Sequence, residues 1–143
     1  MHRFVIRSRS LWLVLAVAFT ASACGGSTTT TTPVTPTATS VTEEFTGTLN
    51  INGGASFPFV AQAAGLITAT LSSLGPDSTL SVGLSLGTWN GTSCAVASIY
   101  NDNAGQGTAV IGQSTATGSL CARVYDVGKI ADPIAYKITI VHP

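Results

Sequence analysis

The chain has 143 residues, room for one domain, and its six Lys and Arg balance six Asp and Glu to a formal net charge of zero. The balance hides an asymmetry: Arg3, Arg7 and Arg9 precede residue 24, leaving Arg123, Lys129 and Lys137 against Glu43, Glu44, Asp77, Asp102, Asp126 and Asp132, a formal −3. So sparse and slightly acidic a surface argues against nucleic acid, whose backbone demands clustered Lys and Arg, and it offers no basic patch for anionic lipid.

In chain order, Met1 to Ser10 carries three arginines and a histidine, and Leu11 to Phe19 is apolar without a break. A transmembrane span needs about 20 apolar residues, so this run is too short for one and has the layout of a secretory signal. Ala21, Ser22 and Ala23 then lead into Cys24, an arrangement that resembles the lipobox of bacterial lipoproteins. That resemblance implies a type II signal peptide over residues 1–23 and a diacylglyceryl group on Cys24, two apolar chains being sufficient for stable anchoring. Gly25 rather than Asp after the cysteine points to the outer membrane. The implied location is the cell envelope, lipid-anchored, on the periplasmic face or the surface.

Residues 24–42 are the lipidated cysteine and its linker. Gly25 to Ser40 reads GGSTTTTTPVTPTATS, which cannot bury enough apolar area to offset ordering its backbone. Threonine and proline favour extended conformers, so at about 3 Å per residue the segment reaches roughly 50 Å.

From residue 43 to 143 the hydrophobic period is two, with no long stretch at 3.6. Glu44 to Ile51 is the first predicted strand, with Phe45, Leu49 and Ile51 on one face; Asn52-Gly53-Gly54 is a turn. Ser56 to Val60 is the second, placed at an edge by Pro58. Leu66 to Leu74 turns Ile67, Ala69 and Leu71 inward. Thr79 to Leu86 alternates most clearly, with Leu80, Val82, Leu84 and Leu86 packing while Ser81, Gly83 and Ser85 face water or a loop. Cys94 to Tyr100 alternates less and reads as buried on both sides, and Asn101 to Gly105 reads as a loop. Thr108 to Ile111, Gly118 to Asp126 and Ile134 to Val141 complete the set.

About eight short antiparallel-compatible strands with glycine-rich turns predict an all-β chain folded as a β-sandwich, with a jelly-roll or Greek-key path. A small barrel is the competing architecture. Cys94 and Cys121 form an even pair in an exported domain, where a disulfide is the default; free thiols or a metal site are weaker alternatives. The bridge would stabilise the fold by roughly 3–4 kcal/mol on the chain-entropy account. Cys121 shares parity with Arg123 and Tyr125, which predicts a partly exposed bridge joining neighbouring strands or the two sheets.

The run from Gly118 to Gly128, GSLCARVYDVG, closing with Tyr136 to Ile140, is similar to the ending of bacterial pre-peptidase C-terminal domains, G-x-Y-x-v-x-V-y followed by Y-x-l-x-v. Phe45-x-Gly47, Phe57-x-Phe59-x-Ala61 and Gly65-x-Ile67-x-Ala69-x-Leu71 resemble the opening strands. The resemblance spans residues 43–141 and departs at Leu120, where an aromatic is commonest, and in the added cysteines. It implies a secreted β-sandwich accessory domain, usually appended to an exported enzyme, some relatives of which bind calcium, collagen or polysaccharide. Here the domain is expected to act without an attached enzyme.

Catalysis has little support in the residues. His142 is the one histidine after the signal and reads as a frayed terminal residue; Glu43 and Glu44 are adjacent and point to opposite faces. Asp102, Asp126 and Asp132 fall at strand ends and are the candidate calcium ligands, although Asp is also an ordinary turn former, and that reading is preferred. Trp89, with Tyr100 and Tyr125 as neighbours, is the candidate ligand-binding group, since an exposed aromatic offers a flat apolar face to a sugar or protein. The expectation is a noncatalytic envelope lipoprotein with no cofactor, a binding or structural module for polysaccharide or protein. A secreted hydrolase or inhibitor with a loop-borne site is the alternative.

Overall fold

The structure, a computed structural model, describes residues 39–143; the signal segment, Cys24 and nearly all of the linker lie outside the described residues. Eight strands make up the described part: β1 (Val41–Leu49), β2 (Gly54–Ala61), β3 (Gly65–Gly75), β4 (Val82–Trp89), β5 (Cys94–Ala104), β6 (Ala109–Ser114), β7 (Gly118–Tyr125) and β8 (Ile134–His142). They form two four-stranded sheets in the orders β1-β8-β3-β6 and β2-β7-β4-β5. Every pairing is antiparallel. The chain changes sheet at each connection except the β4–β5 hairpin, which is the winding of an eight-stranded jelly roll.

Alternation decides which face of each strand packs. Ile67, Ala69 and Leu71 of β3 and Ile134, Tyr136, Ile138 and Ile140 of β8 are buried between the sheets, meeting Phe59, Leu84, Leu86 and Val124 from the second sheet. Each large aliphatic side chain so buried stabilises the fold by about 1.5–3 kcal/mol relative to exposure. A bulge in β3 between Leu71 and Ser73 resets the period, so that Leu74 is buried as well. Phe45 of β1 stacks on Phe57 of β2 at 4.8 Å, and Phe57 meets the edge of Tyr136 at 6.1 Å, tying the two sheets together. Pro58 lies on β2, an edge strand, where its missing N–H leaves no ladder bond unmade.

Several expectations from the sequence need correction. Ile51 is not part of the first strand's inward face; it lies in the β1–β2 turn and is 50% exposed. Strand β4 does not turn one side to water, because Gly83, Ser85 and Gly87 are buried as fully as Val82, Leu84 and Leu86. Strand β5 is an edge strand rather than a doubly buried one, and Tyr100 is 58% exposed. It also continues through Asn101 to Ala104, the stretch expected as a loop.

The disulfide between Cys94 and Cys121 is present, but it joins neither adjacent strands nor the two sheets. Its residues belong to β5 and β7, with β4 between them in the same sheet. Two strands flanking a third normally stand almost 10 Å apart, whereas these two Cα atoms are 5.8 Å apart. The start of β5 is therefore drawn across β4. Gly87 permits this: a Cβ there would lie 2.2 Å from the Ala95 carbonyl oxygen and 3.0 Å from the Val96 Cα. Cys121 is fully buried and Cys94 half-buried, so the bridge is partly exposed, on its Cys94 side.

Gly87→Ala forces backbone against a methyl group and is expected to destabilise the fold by at least about 2 kcal/mol in urea titration. Gly118→Ala, with nothing within 4 Å of the new methyl, is the control and is expected to leave the midpoint almost unchanged.

Candidate functional site

The second sheet brings chemistry to its outer face because β4 has almost no side chains there. Three cross-strand rows define it. Ser56 pairs with Arg123, Arg123 with Ser85, and Ser85 with Tyr100, one row running across all four strands. Toward one end, Gly54 pairs with Tyr125 and Tyr125 with Gly83; toward the other, Pro58 pairs with Cys121 and Cys121 with Gly87.

Gly83 leaves room for the Tyr125 ring, whose atoms would stand 2.2 Å from a Cβ at that position. The ring crosses β4, and its phenol donates to Asp102 Oδ1 on β5. Arg123 stacks on the same ring, its Cζ 5.2 Å from the centroid, and its guanidinium extends over Gly54 of β2. Beneath this layer, Ser85 is fully buried and its hydroxyl has no hydrogen-bond partner. Burial, and then the bond to Asp102, push the Tyr125 phenol up to about 12.

Of the three aromatic candidates, Tyr100 and Tyr125 thus share one face. Trp89 does not join them: it pairs with Cys94 at the far end of β4, with the Gly87 crossing between it and Ser85. Arg123 and Ser85 were not singled out by sequence. The available signal was the run of small residues Gly83, Ser85 and Gly87 opposite the apolar parity of β4, together with an arginine of outward parity on β7.

The three aspartates do not converge. Asp102 accepts from Tyr125. Asp126 ties two loops together: Oδ2 accepts from the Asn52 N–H at 2.8 Å, and Oδ1 accepts from Gly128 at 2.8 Å and Lys129 at 3.0 Å. Those backbone donors, Asn52 foremost, hold its carboxyl below the usual carboxylate range. Asp132 lines a depression of about 300 Å³ with Asp77, Leu80 and Lys129. Among the described residues no three His, Cys, Asp or Glu are placed to hold a metal ion. A pocket of about 120 Å³ between the sheets is bounded chiefly by Ile67, Leu86, Ile99 and Leu120 and is mostly apolar.

His142 is not frayed. It is 3% exposed, tilts against the Phe59 ring at 4.8 Å, and its Nε2 lies 3.0 Å from Glu43 Oε1 while Nδ1 faces the Pro143 oxygen at 3.2 Å. Both ring nitrogens are thus engaged within the fold, and the His142–Glu43 pair works as a structural tie between β8 and β1.

No protein-family model matches the chain, and no curated protein matches it.

The Tyr125 phenol gives a pH signature. An unfolded tyrosine ionises near 10, so the stability carried by the neutral phenol is whole below about pH 10 and is lost as pH rises toward 12. Urea midpoints are expected to fall between about pH 10 and pH 12, and Tyr125→Phe is expected to remove that component of the fall. Reducing the Cys94–Cys121 bridge, which spans 27 residues, is expected to cost roughly 3–4 kcal/mol in the same assay.

Proposed function

We propose that the protein is a lipid-anchored module of the cell envelope that acts by binding, with an envelope polysaccharide or protein as its partner. The observation that carries this reading is the outer face of the second sheet, where Arg123, Tyr125 and an exposed Tyr100 gather over a strand with almost no side chains. A planar cation beside aromatic rings, on a flat sheet rather than in a cleft, suits recognition of an extended partner more than bond-breaking. The signal-like run before Cys24, the threonine-rich linker and the disulfide support an exported, tethered domain. The likeness to pre-peptidase C-terminal domains supports an accessory role, and the jelly-roll winding is compatible with it. Calcium and other cofactors have no part in the reading.

The anchor is tested by mass measurement on protein recovered from bacterial membranes. The expected product starts at Cys24 with a diacylglyceryl thioether, and Cys24→Ala is expected to move the protein out of the membrane fraction. A chain that still starts at Met1, or that carries an unmodified thiol at Cys24, overturns the reading.

A further inference from the structure

We infer that the row Arg123–Ser85–Tyr100 recognises a carboxylate carried on a sugar ring, the uronate unit of an acidic glycan. The inference rests on the binding role proposed above and narrows it to one ligand chemistry at one place.

Charge is the first ground. Among the described residues the two ion pairs are Lys137–Glu44 and His142–Glu43, and neither uses Arg123. Lys129 is occupied by Asn103 Oδ1 at 2.6 Å and Ser81 Oγ at 3.1 Å. The carboxylate on the same face, Asp102, accepts from the Tyr125 phenol. Arg123 is therefore a half-buried cation oriented by an aromatic ring, with no carboxylate partner of its own. A guanidinium presents a planar fork of N–H donors that matches the two oxygens of a carboxylate.

Ser85 is the second and independent ground. Its hydroxyl is buried and unpartnered on the strand next to Arg123, in the same row. Alanine would fill the position without desolvating a hydroxyl, so the fold gains nothing from the oxygen; a ligand oxygen supplies the missing partner. Its cross-strand neighbours Arg123 and Tyr100 are both partly solvated, and one of them must swing aside to admit a ligand to the hydroxyl.

Tyr100 completes the row. It lies on the edge strand, 58% exposed, and offers a flat aromatic face of the kind a pyranose ring packs against. Across the three rows the central strand offers only Gly83, Ser85 and Gly87 to this face, so no large apolar side chain of β4 stands there to anchor a peptide side chain. The opposite outer face, on the first sheet, has its charges already matched by Lys137 and Glu44.

The test is calorimetric titration of the full chain with a short oligogalacturonate, the same oligomer methyl-esterified, and a short poly-glutamate peptide. The acid oligomer is expected to bind, more weakly as salt rises, and esterification to weaken it by about 10-fold or more. Arg123→Gln is expected to lose about as much, and Tyr100→Ala to weaken binding while leaving the fold intact. Ser85→Ala is expected to raise the melting temperature yet lower affinity, a pairing that a purely structural serine does not produce. Equal binding of acid and ester, unchanged affinity in Arg123→Gln, or equal binding of poly-glutamate overturns the inference and leaves the general binding role standing. Failure of both glycan forms to bind likewise overturns the inference and removes uronate polymers from the partners of the proposed function.

Discussion

The contact between backbone and backbone at Gly87 governs the second sheet. Because β4 carries no side chain there, β5 can ride over it, and only with β5 in that position do Cys94 and Cys121 come within bonding range. The same scarcity of side chains, one turn of the pleat further along each time, lets Ser85 sink out of solvent and Tyr125 lie flat over Gly83. Three small residues on one strand thus account for a crossing, a buried hydroxyl and a stacked aromatic. Their cost is the lost packing of two absent side chains and one short one, offset by what lies on top of them.

Strands whose environment differs sharply between faces were legible in the sequence. Ile67, Ala69 and Leu71 in β3, and Ile134 to Ile140 in β8, alternate because one side meets the core and the other meets water. Pro58 placed β2 at an edge for a reason intrinsic to proline. The outer face of β4 was illegible for an equally physical reason. Glycine and serine are what a solvated strand face carries, and they are also what a face carries when other groups must approach closely. Composition cannot separate the two; only the partners can. Likewise β5, with Ala95, Val96 and Ile99, has the apolar content of a buried strand while standing at an edge.

The candidate site was half legible. Trp89 led the candidates on the strength of its loop, with Tyr100 and Tyr125 named as its neighbours; the two tyrosines do share a face, and the Gly87 crossing separates Trp89 from them. Arg123 draws its interest from what lacks contact with it, which no sequence pattern records. His142 misled through position: one residue from the end of the chain, it has the burial of a core residue because β8 runs on to pair Val41 with it.

That last pairing has a mechanical side. β1 is an edge strand, held along one side only, by β8. A pull transmitted through the residues ahead of Val41 reaches the ladder at Val41 and His142 first and must open it one rung at a time. The early rungs are the ones reinforced by side chains, Glu43 gripping His142 and Glu44 gripping Lys137. Peeling from that end therefore meets these side-chain ties first and the core-packed Phe45 and Leu49 only afterwards.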